Sequence, residues 1–164
     1  MQTLIRDYSE DDRAAVLAAF RSNVPAHFPP SEEAWLLSCL DEPDGPLFVV
    51  EQAGRVVGFG GYELSEFYNL GTLVFGLLHA DVHGTGLGRL LLTYRLLHMA
   101  RSPERPRYVT VDTHNHVAGF FERHGFHVMA RWPGGYRSGL DRVDLRMELD
   151  ADAVARLERI MQFS

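Results

Sequence analysis

The sequence predicts a single alternating α/β domain spanning residues 1–164, on three observations. Turn signals built from Gly, Pro, Asp and Ser recur about every ten to twenty residues. The segments between them switch between helical and strand-like apolar spacing. No repeat, low-complexity tract or long Gly/Ser linker divides the chain. Apolar residues make up 46% of the sequence and aromatic residues 11%, enough for a sizeable core at this length.

The elements follow in order. Thr3 to Arg6 reads as an edge strand. Ser9, followed by Glu10, Asp11 and Asp12, marks a helix start with acidic residues against the positive end of the helix dipole, and Val16, Leu17 and Phe20 share one face of that helix. Pro25, Pro29 and Pro30 end it, because proline lacks the N–H that a helix interior needs. Ser31-Glu32-Glu33 opens a second helix with Trp35, Leu36, Cys39 and Leu40 at helical spacing, closed by Asp44-Gly45-Pro46. Leu47 to Gln52 and Arg55 to Tyr62 are rich in β-formers and joined only by Ala53-Gly54, which predicts an antiparallel hairpin. Thr72 to His79 is a third such run. From Gly86 the apolar residues at 87, 90, 91, 94 and 97 predict an amphipathic helix, stopped at Ser102-Pro103. Tyr108 to Asp112 reads as a strand, Val117, Phe120 and Phe121 as a short helix ending at Gly125, and Phe126 to Trp132 and Val143 to Leu149 as the closing strands. From about Ala151 the chain reads as a terminal helix.

Charge and composition exclude several classes. The chain has 16 basic and 22 acidic residues, a net −6, which disfavours nucleic acid as a partner because phosphate binding is driven by clustered Lys and Arg. Cys39 is the single cysteine, so no internal disulfide forms, and its apolar setting in AWLLSCL suggests a small buried side chain. The charged start, MQTLIRDYSEDDR, does not resemble a signal peptide, and no window approaches the roughly 18 apolar residues of a membrane span. The expectation is a soluble, cytoplasmic protein without a membrane partner. Eight histidines raise the question of a metal, but His79 and His83 bracket a turn and no His-Glu-x-x-His or Cys cluster supports them, so no metal site is expected.

The most informative stretch is LVFGLLHADVHGTGLGRLLLTYRL, residues 73–96, a strand running through a Gly-rich turn into a helix. Gly84, Gly86 and Gly88 let the turn reach positive φ and bring its N–H groups close to an anion, while the new helix adds unpaired amides and its dipole. A pyrophosphate suits such a turn. The dinucleotide fingerprint and the Walker loop both require spacings that are missing here.

HGTGLG, residues 83–88, resembles the Gln/Arg-x-x-Gly-x-Gly signature of the GNAT superfamily, and DTHNHVAGFFERHGF, residues 112–126, resembles the second block of that family. The resemblance covers nearly the whole chain. It implies the GNAT acyl-CoA N-acyltransferase fold, a mixed central sheet of about six to seven strands with helices on both faces. It also implies an N-acetyltransferase that takes acetyl-CoA as donor and a primary amine as acceptor. By the same resemblance, Gly76, Leu77 and Leu78 present backbone to the pantetheine arm, and Gly84, Thr85, Gly86, Leu87, Gly88 and Arg89 cradle the pyrophosphate. Gly76 suits the bulge that splays the central strands, a place where a strand tolerates glycine.

Several residues depart from the family pattern. His83 stands where Gln or Arg is usual, and Phe121 fills the position of a tyrosine whose hydroxyl is the acid in many members. Asn115 sits one residue closer to that aromatic than in the common spacing, with His114 at the expected place; a contact with the cofactor and a helix-capping role both remain open for it. Thr72 occupies the position of a base found in some members and cannot serve as one. Glu63 is the first substitute, an inward carboxylate whose pKa desolvation would raise, against the alternative of a solvated strand-end carboxylate. Glu66 and Asp112 are weaker candidates. Tyr136, in PGGYRSGLDR, is the candidate acid, against a turn tyrosine that packs its ring on the rim. Arg101, Arg105 and Arg107 either touch the adenosine 3′-phosphate or lie in a solvated loop. FRSNVPAHFPPSEEAWL, residues 20–36, resembles the helical wall of the acceptor pocket in this family. The acceptor itself, a small-molecule or peptide amine, is not specified. Members of the family are often dimers, so a homodimer is among the expected assemblies. The three departures at His83, Phe121 and Thr72 motivate a second reading, a catalytically weak acyl-CoA-binding or sensing module.

Overall fold

The computed structural model describes residues 2–136 and 139–163. The strands are β1 (Thr3–Asp7), β2 (Leu47–Gln52), β3 (Arg55–Ser65), β4 (Leu70–Leu78), β5 (Tyr108–His114), β6 (His127–Trp132) and β7 (Arg142–Glu148). The helices are α1 (Arg13–Arg21), α2 (Glu32–Asp41), α3 (Leu87–Ala100), α4 (Ala118–Arg123) and α5 (Ala151–Gln162). The strands form a 7-stranded sheet in the order β1-β2-β3-β4-β5-β7-β6, with β4 and β5 parallel and β1–β2, β2–β3, β5–β7 and β6–β7 antiparallel. This is the mixed sheet expected from the sequence.

The chain divides into two compact units, the first made of residues up to Glu63 together with Val74–Arg95 and the second of Leu64–Leu73 with Leu96–Phe163. In the first unit, Arg6 on β1 donates to both oxygens of Asp12, at 2.8 and 2.9 Å, and to Glu51 of β2 at 3.0 Å. Asp12 in turn accepts the Ser9 N–H at 2.9 Å, closing a capping box over a single 3-10 turn, so the α-helix proper begins at Arg13. Val16, Ala19 and Phe20 of α1 and Leu36 and Leu40 of α2 pack with Val49, Phe59 and Leu77 in one apolar cluster. Val50, Val57, Val82, Leu87 and Leu91 form a second. Adjacent residues of one strand point to opposite faces, so Val49 and Val50, like Leu77 and Leu78, place helices on both sides of this part of the sheet. Ala53 and Gly54 both take positive φ, 52° and 79°, in the tight hairpin the sequence predicts.

Two expectations need correction here. Trp35 is 41% exposed and Cys39 only half-buried, because they lie one position off the Leu36–Leu40 row that the core takes up. Helix α3 is not amphipathic in the ordinary sense. Leu91, Leu92, Thr93, Arg95, Leu96, Leu97 and Met99 are all buried, as in a helix covered on nearly every side.

In the second unit, Leu70–Thr72 of β4 pair in parallel with Tyr108–Thr110, and β5 pairs along its length with β7, from Tyr108 opposite Glu148 to His114 opposite Arg142. Strand β5 therefore runs two residues beyond the expected end, bringing Thr113 and His114 into the sheet, both buried. Phe121 of α4 sets its ring edge-on to Phe126, at 5.4 Å between centroids. Asp150 caps α5 by accepting the Ala153 N–H at 2.8 Å. Among the described residues, no helix is long and apolar enough to cross a membrane.

Candidate active site

The Gly-rich turn folds as its composition dictates. Beyond β4 the chain makes one 3-10 turn, Ala80–Val82, and Thr85 Oγ1 donates to Val82 O at 2.6 Å. Gly84 and Gly86 have φ of 75° and 87°, and a Cβ at either position would meet nothing within 4 Å. The glycines are therefore required by backbone conformation, and the space over the turn is open. The first helical bond runs from Leu90 N–H to Gly86 O, which places the amides of Leu87, Gly88 and Arg89 ahead of it, at the positive end of a 14-residue helix. The buried Leu87 anchors the turn while Gly84, Thr85, Gly86 and Arg89 are exposed.

The end of β4 is held by groups that sequence reasoning missed. The buried Asn23 donates through Nδ2 to Leu78 O and Ala19 O, both at 2.8 Å, and the Ala80 N–H donates to Ser22 Oγ at 2.9 Å. His83 Nε2 lies 3.1 Å from Leu78 O, so the ring in the Nε2–H tautomer adds a third tie to the same strand end. Arg95 was also missed. It is buried within α3 and donates through Nη1 to Phe75 O at 2.9 Å and to Gly61 O at 3.2 Å. An arginine in mid-helix gives no local signal that distinguishes it from a solvated one. Gly76, with φ of 146°, and Phe75, with φ of 58°, break the regular strand geometry where Arg95 meets it.

Glu63, near the end of β3, is half-buried, and burial pushes its carboxyl above the usual range, with the neighbouring Asp44 adding to the effect. Burial first, then Glu63 and Asp44, raises the Cys39 thiol as well. Trp35 leans on Phe75 with ring centroids 4.4 Å apart, so an aromatic surface lies beside Gly76 in the same unit as Glu63 and the turn.

Asn115 and Tyr136 belong to the second unit. The Asn115 side-chain carbonyl accepts the Asp141 N–H at 3.3 Å, and the Asn115 backbone N–H donates to Asp141 O at 3.1 Å, so Asn115 pins the β6–β7 loop and does not cap α4, whose N-cap is Val117. Tyr136 sets its ring against that of His114, at 5.2 Å. The neighbouring residues 137 and 138 of PGGYRSGLDR lie outside the described residues. Phe121 is 8% exposed and offers no hydroxyl. Arg105 donates to Leu149 O at 2.9 Å, Arg107 to Glu148 at 3.4 Å, and Arg101 lies 3.9 Å from Glu158, so each of the three loop arginines has a partner in the fold. Asp112 lies 3.9 Å from Arg142, and Glu66 is exposed. Among the described residues, no three His, Cys, Asp or Glu side chains come together as a metal-binding group.

A mixed seven-stranded sheet with helices and a Gly-rich strand–turn–helix defines the class, the GNAT N-acetyltransferase fold. A family model described as acetyltransferase (GNAT) domain matches residues 43–128, just over half of the chain, from β2 to the start of β6. The chain belongs to the GNAT acetyltransferase family. Among solved structures it is similar to the ribosomal-protein-S18-alanine N-acetyltransferase from Escherichia coli (18% identity, TM-score 0.72, covering 91% of this chain and 95% of that one). It is also similar to Ard1 from Thermoplasma volcanium (18%, TM-score 0.72, 90% and 98%) and to yncA from Salmonella typhimurium, solved with its cofactor acetyl-CoA (24%, TM-score 0.67, 92% and 95%). At these identities the likeness speaks for the fold. No curated protein sequence matches the chain.

Proposed function

We propose that this chain is an acetyl-CoA-dependent N-acetyltransferase of the cytoplasm, moving the acetyl group directly to a primary amine of a small molecule or peptide. The observation that carries the reading is the turn at residues 83–89: two positive-φ glycines with open space above them, followed by the leading amides of a long helix. That arrangement fits a pyrophosphate, which needs close backbone N–H donors and no side chain in the way. Gly84, Thr85, Gly86, Leu87, Gly88 and Arg89 would hold it, and the backbone of Gly76, Leu77 and Leu78 would run along the pantetheine arm.

Acetyl-CoA supplies the carbonyl carbon that the amine nitrogen attacks and the thiolate that leaves as the carbon–sulfur bond breaks. The protein must then move protons and orient groups. Glu63, with its raised pKa, takes the proton the amine sheds, directly or through water, and the Tyr136 hydroxyl returns one to the departing sulfur. Backbone amides of the strand at 76–78 polarise the thioester carbonyl. A covalent route through Cys39 is disfavoured, since its raised pKa leaves little thiolate.

The deciding experiment is isothermal titration with acetyl-CoA and CoA. The parent protein is expected to bind both, and Gly86→Glu, which puts a strained side chain and a negative charge at the turn, is expected to abolish binding while the fold persists by circular dichroism. No binding by the parent would overturn the acetyltransferase reading. The buried Phe121 favours one second reading, a binding module without turnover. That module would bind acetyl-CoA yet release no CoA above the blank with any amine of a broad panel.

A further inference from the structure

In the first unit, neither packing nor charge pairing explains Arg95. It is 3% exposed, and burial pulls its pKa down, to about 10, yet it stays protonated at neutral pH, and among the described residues no carboxylate forms an ion pair with it. Its Nε has no partner. An apolar residue would suit this position of α3, with Leu91, Leu92, Leu96 and Leu97 buried around it in sequence. What the guanidinium does satisfy is two main-chain carbonyls, Phe75 O at 2.9 Å and Gly61 O at 3.2 Å.

The Phe75 carbonyl sits at the irregular point of β4. Phe75 takes φ of 58°, a left-handed region that disfavours a non-glycine residue, and Gly76 takes φ of 146°. A Cβ at Gly76 would lie 3.0 Å from Arg95 Nη2, and one at Gly60 would lie 3.1 Å from Nη1, so the head group occupies space that these two glycines leave. In a planar trans peptide the C=O and N–H point in opposite directions. With the Phe75 carbonyl turned onto Arg95, the Gly76 N–H points away from the guanidinium, and Gly76 is exposed although Arg95 is not.

We propose that Arg95 is a positioning residue for acyl transfer: its guanidinium holds the Phe75–Gly76 peptide turned, so that the Gly76 N–H is presented to the thioester carbonyl. The inference rests on the acetyl-CoA reading above. Both hydrogen bonds leave Nη1, whose two N–H directions are fixed in the guanidinium plane, whereas the hydrogens of an ammonium turn freely about its C–N bond.

The test is isotope-edited infrared spectroscopy of acetyl-CoA labelled with ¹³C at the acetyl carbonyl, bound to the parent, Arg95→Met and Arg95→Lys proteins, with CoA affinity measured alongside. In the parent, the bound carbonyl band should fall below that of free acetyl-CoA. In Arg95→Met it should move back toward the free value, while CoA still binds within about threefold of the parent. Arg95→Lys, which keeps a cation and its donors but not the fixed planar N–H directions, should give an intermediate band; it carries the test alone if the Met variant does not fold. A folded variant that binds acetyl-CoA with a parent-like band overturns the assignment. Failure of the parent to bind CoA at all overturns the underlying acetyltransferase reading, and the Arg95 role falls with it.

Discussion

At the residue scale, Glu63 shows how one side chain joins stability to chemistry. Burial, and then Asp44, raises its carboxyl pKa, so its charged form is disfavoured in the fold. For a carboxyl raised in this way, the energetic cost is absent at low pH, develops as pH rises through the ordinary carboxylate range, and is complete above the raised folded value. Glu63→Gln should therefore leave stability at neutral pH unchanged or slightly higher. The same substitution should lower kcat by about 10²- to 10⁴-fold if Glu63 is the base. Parent kcat should fall as pH drops through the raised pKa, and the variant should lose that limb. A pH–rate profile of both proteins with an accepted amine checks this, and an unchanged profile removes Glu63 from the mechanism. The sequence left Glu63 open between an inward carboxylate and a solvated strand-end one, and its half-buried place on β3 lies between the two. Arg95 was not legible, because a buried cation and a solvated one look alike in a helical sequence.

At the element scale, the junction of β1, β2 and the start of α1 is fastened by Arg6, Asp12 and Glu51. The Arg6 guanidinium holds the Asp12 carboxyl below the usual range, aided by the Ser9 N–H and hydroxyl and opposed by burial. A lowered carboxylate contributes stability that is fully present above its unfolded pKa and is lost as pH falls through the folded value. Asp12→Asn should cost about 1–2 kcal/mol at neutral pH, since it removes a charge-assisted bond from a nearly buried acceptor. The gap between variant and parent should close as pH falls through that titration. Urea unfolding at a series of pH values from 7 down through the acid range measures it; a gap that stays constant down to the lowest pH at which both proteins fold would show that the ion pair is not the source. The strong acidic helix start was visible in Ser9 to Asp12. Its division into a 3-10 turn and a later α-helix was not, because it depends on Asp12 being drawn to Arg6.

At the scale of the molecule, the two compact units meet in sequence, among the described residues, inside regular elements: Glu63–Leu64 in β3, Leu73–Val74 in β4 and Arg95–Leu96 in α3. We propose that residues 1–164 unfold as one domain, because separating the units would require breaking two strands and a helix mid-course. Scanning calorimetry should give one transition with calorimetric and van't Hoff enthalpies equal, and two resolved transitions would refute it. By itself, the sequence determined the order and type of the elements, the hairpin at Ala53-Gly54 and the Gly-rich strand–turn–helix, since these follow from local periodicity, turn chemistry and glycine's access to positive φ. Only the tertiary structure decided that Arg95 lies under the irregular point of β4, that Asn23 and Ser22 tie down the strand's end, and that Asn115 pins a loop. Those pairings join residues 20 to 58 positions apart, and nothing local in the chain carries a signal of what a folded sheet will bring alongside.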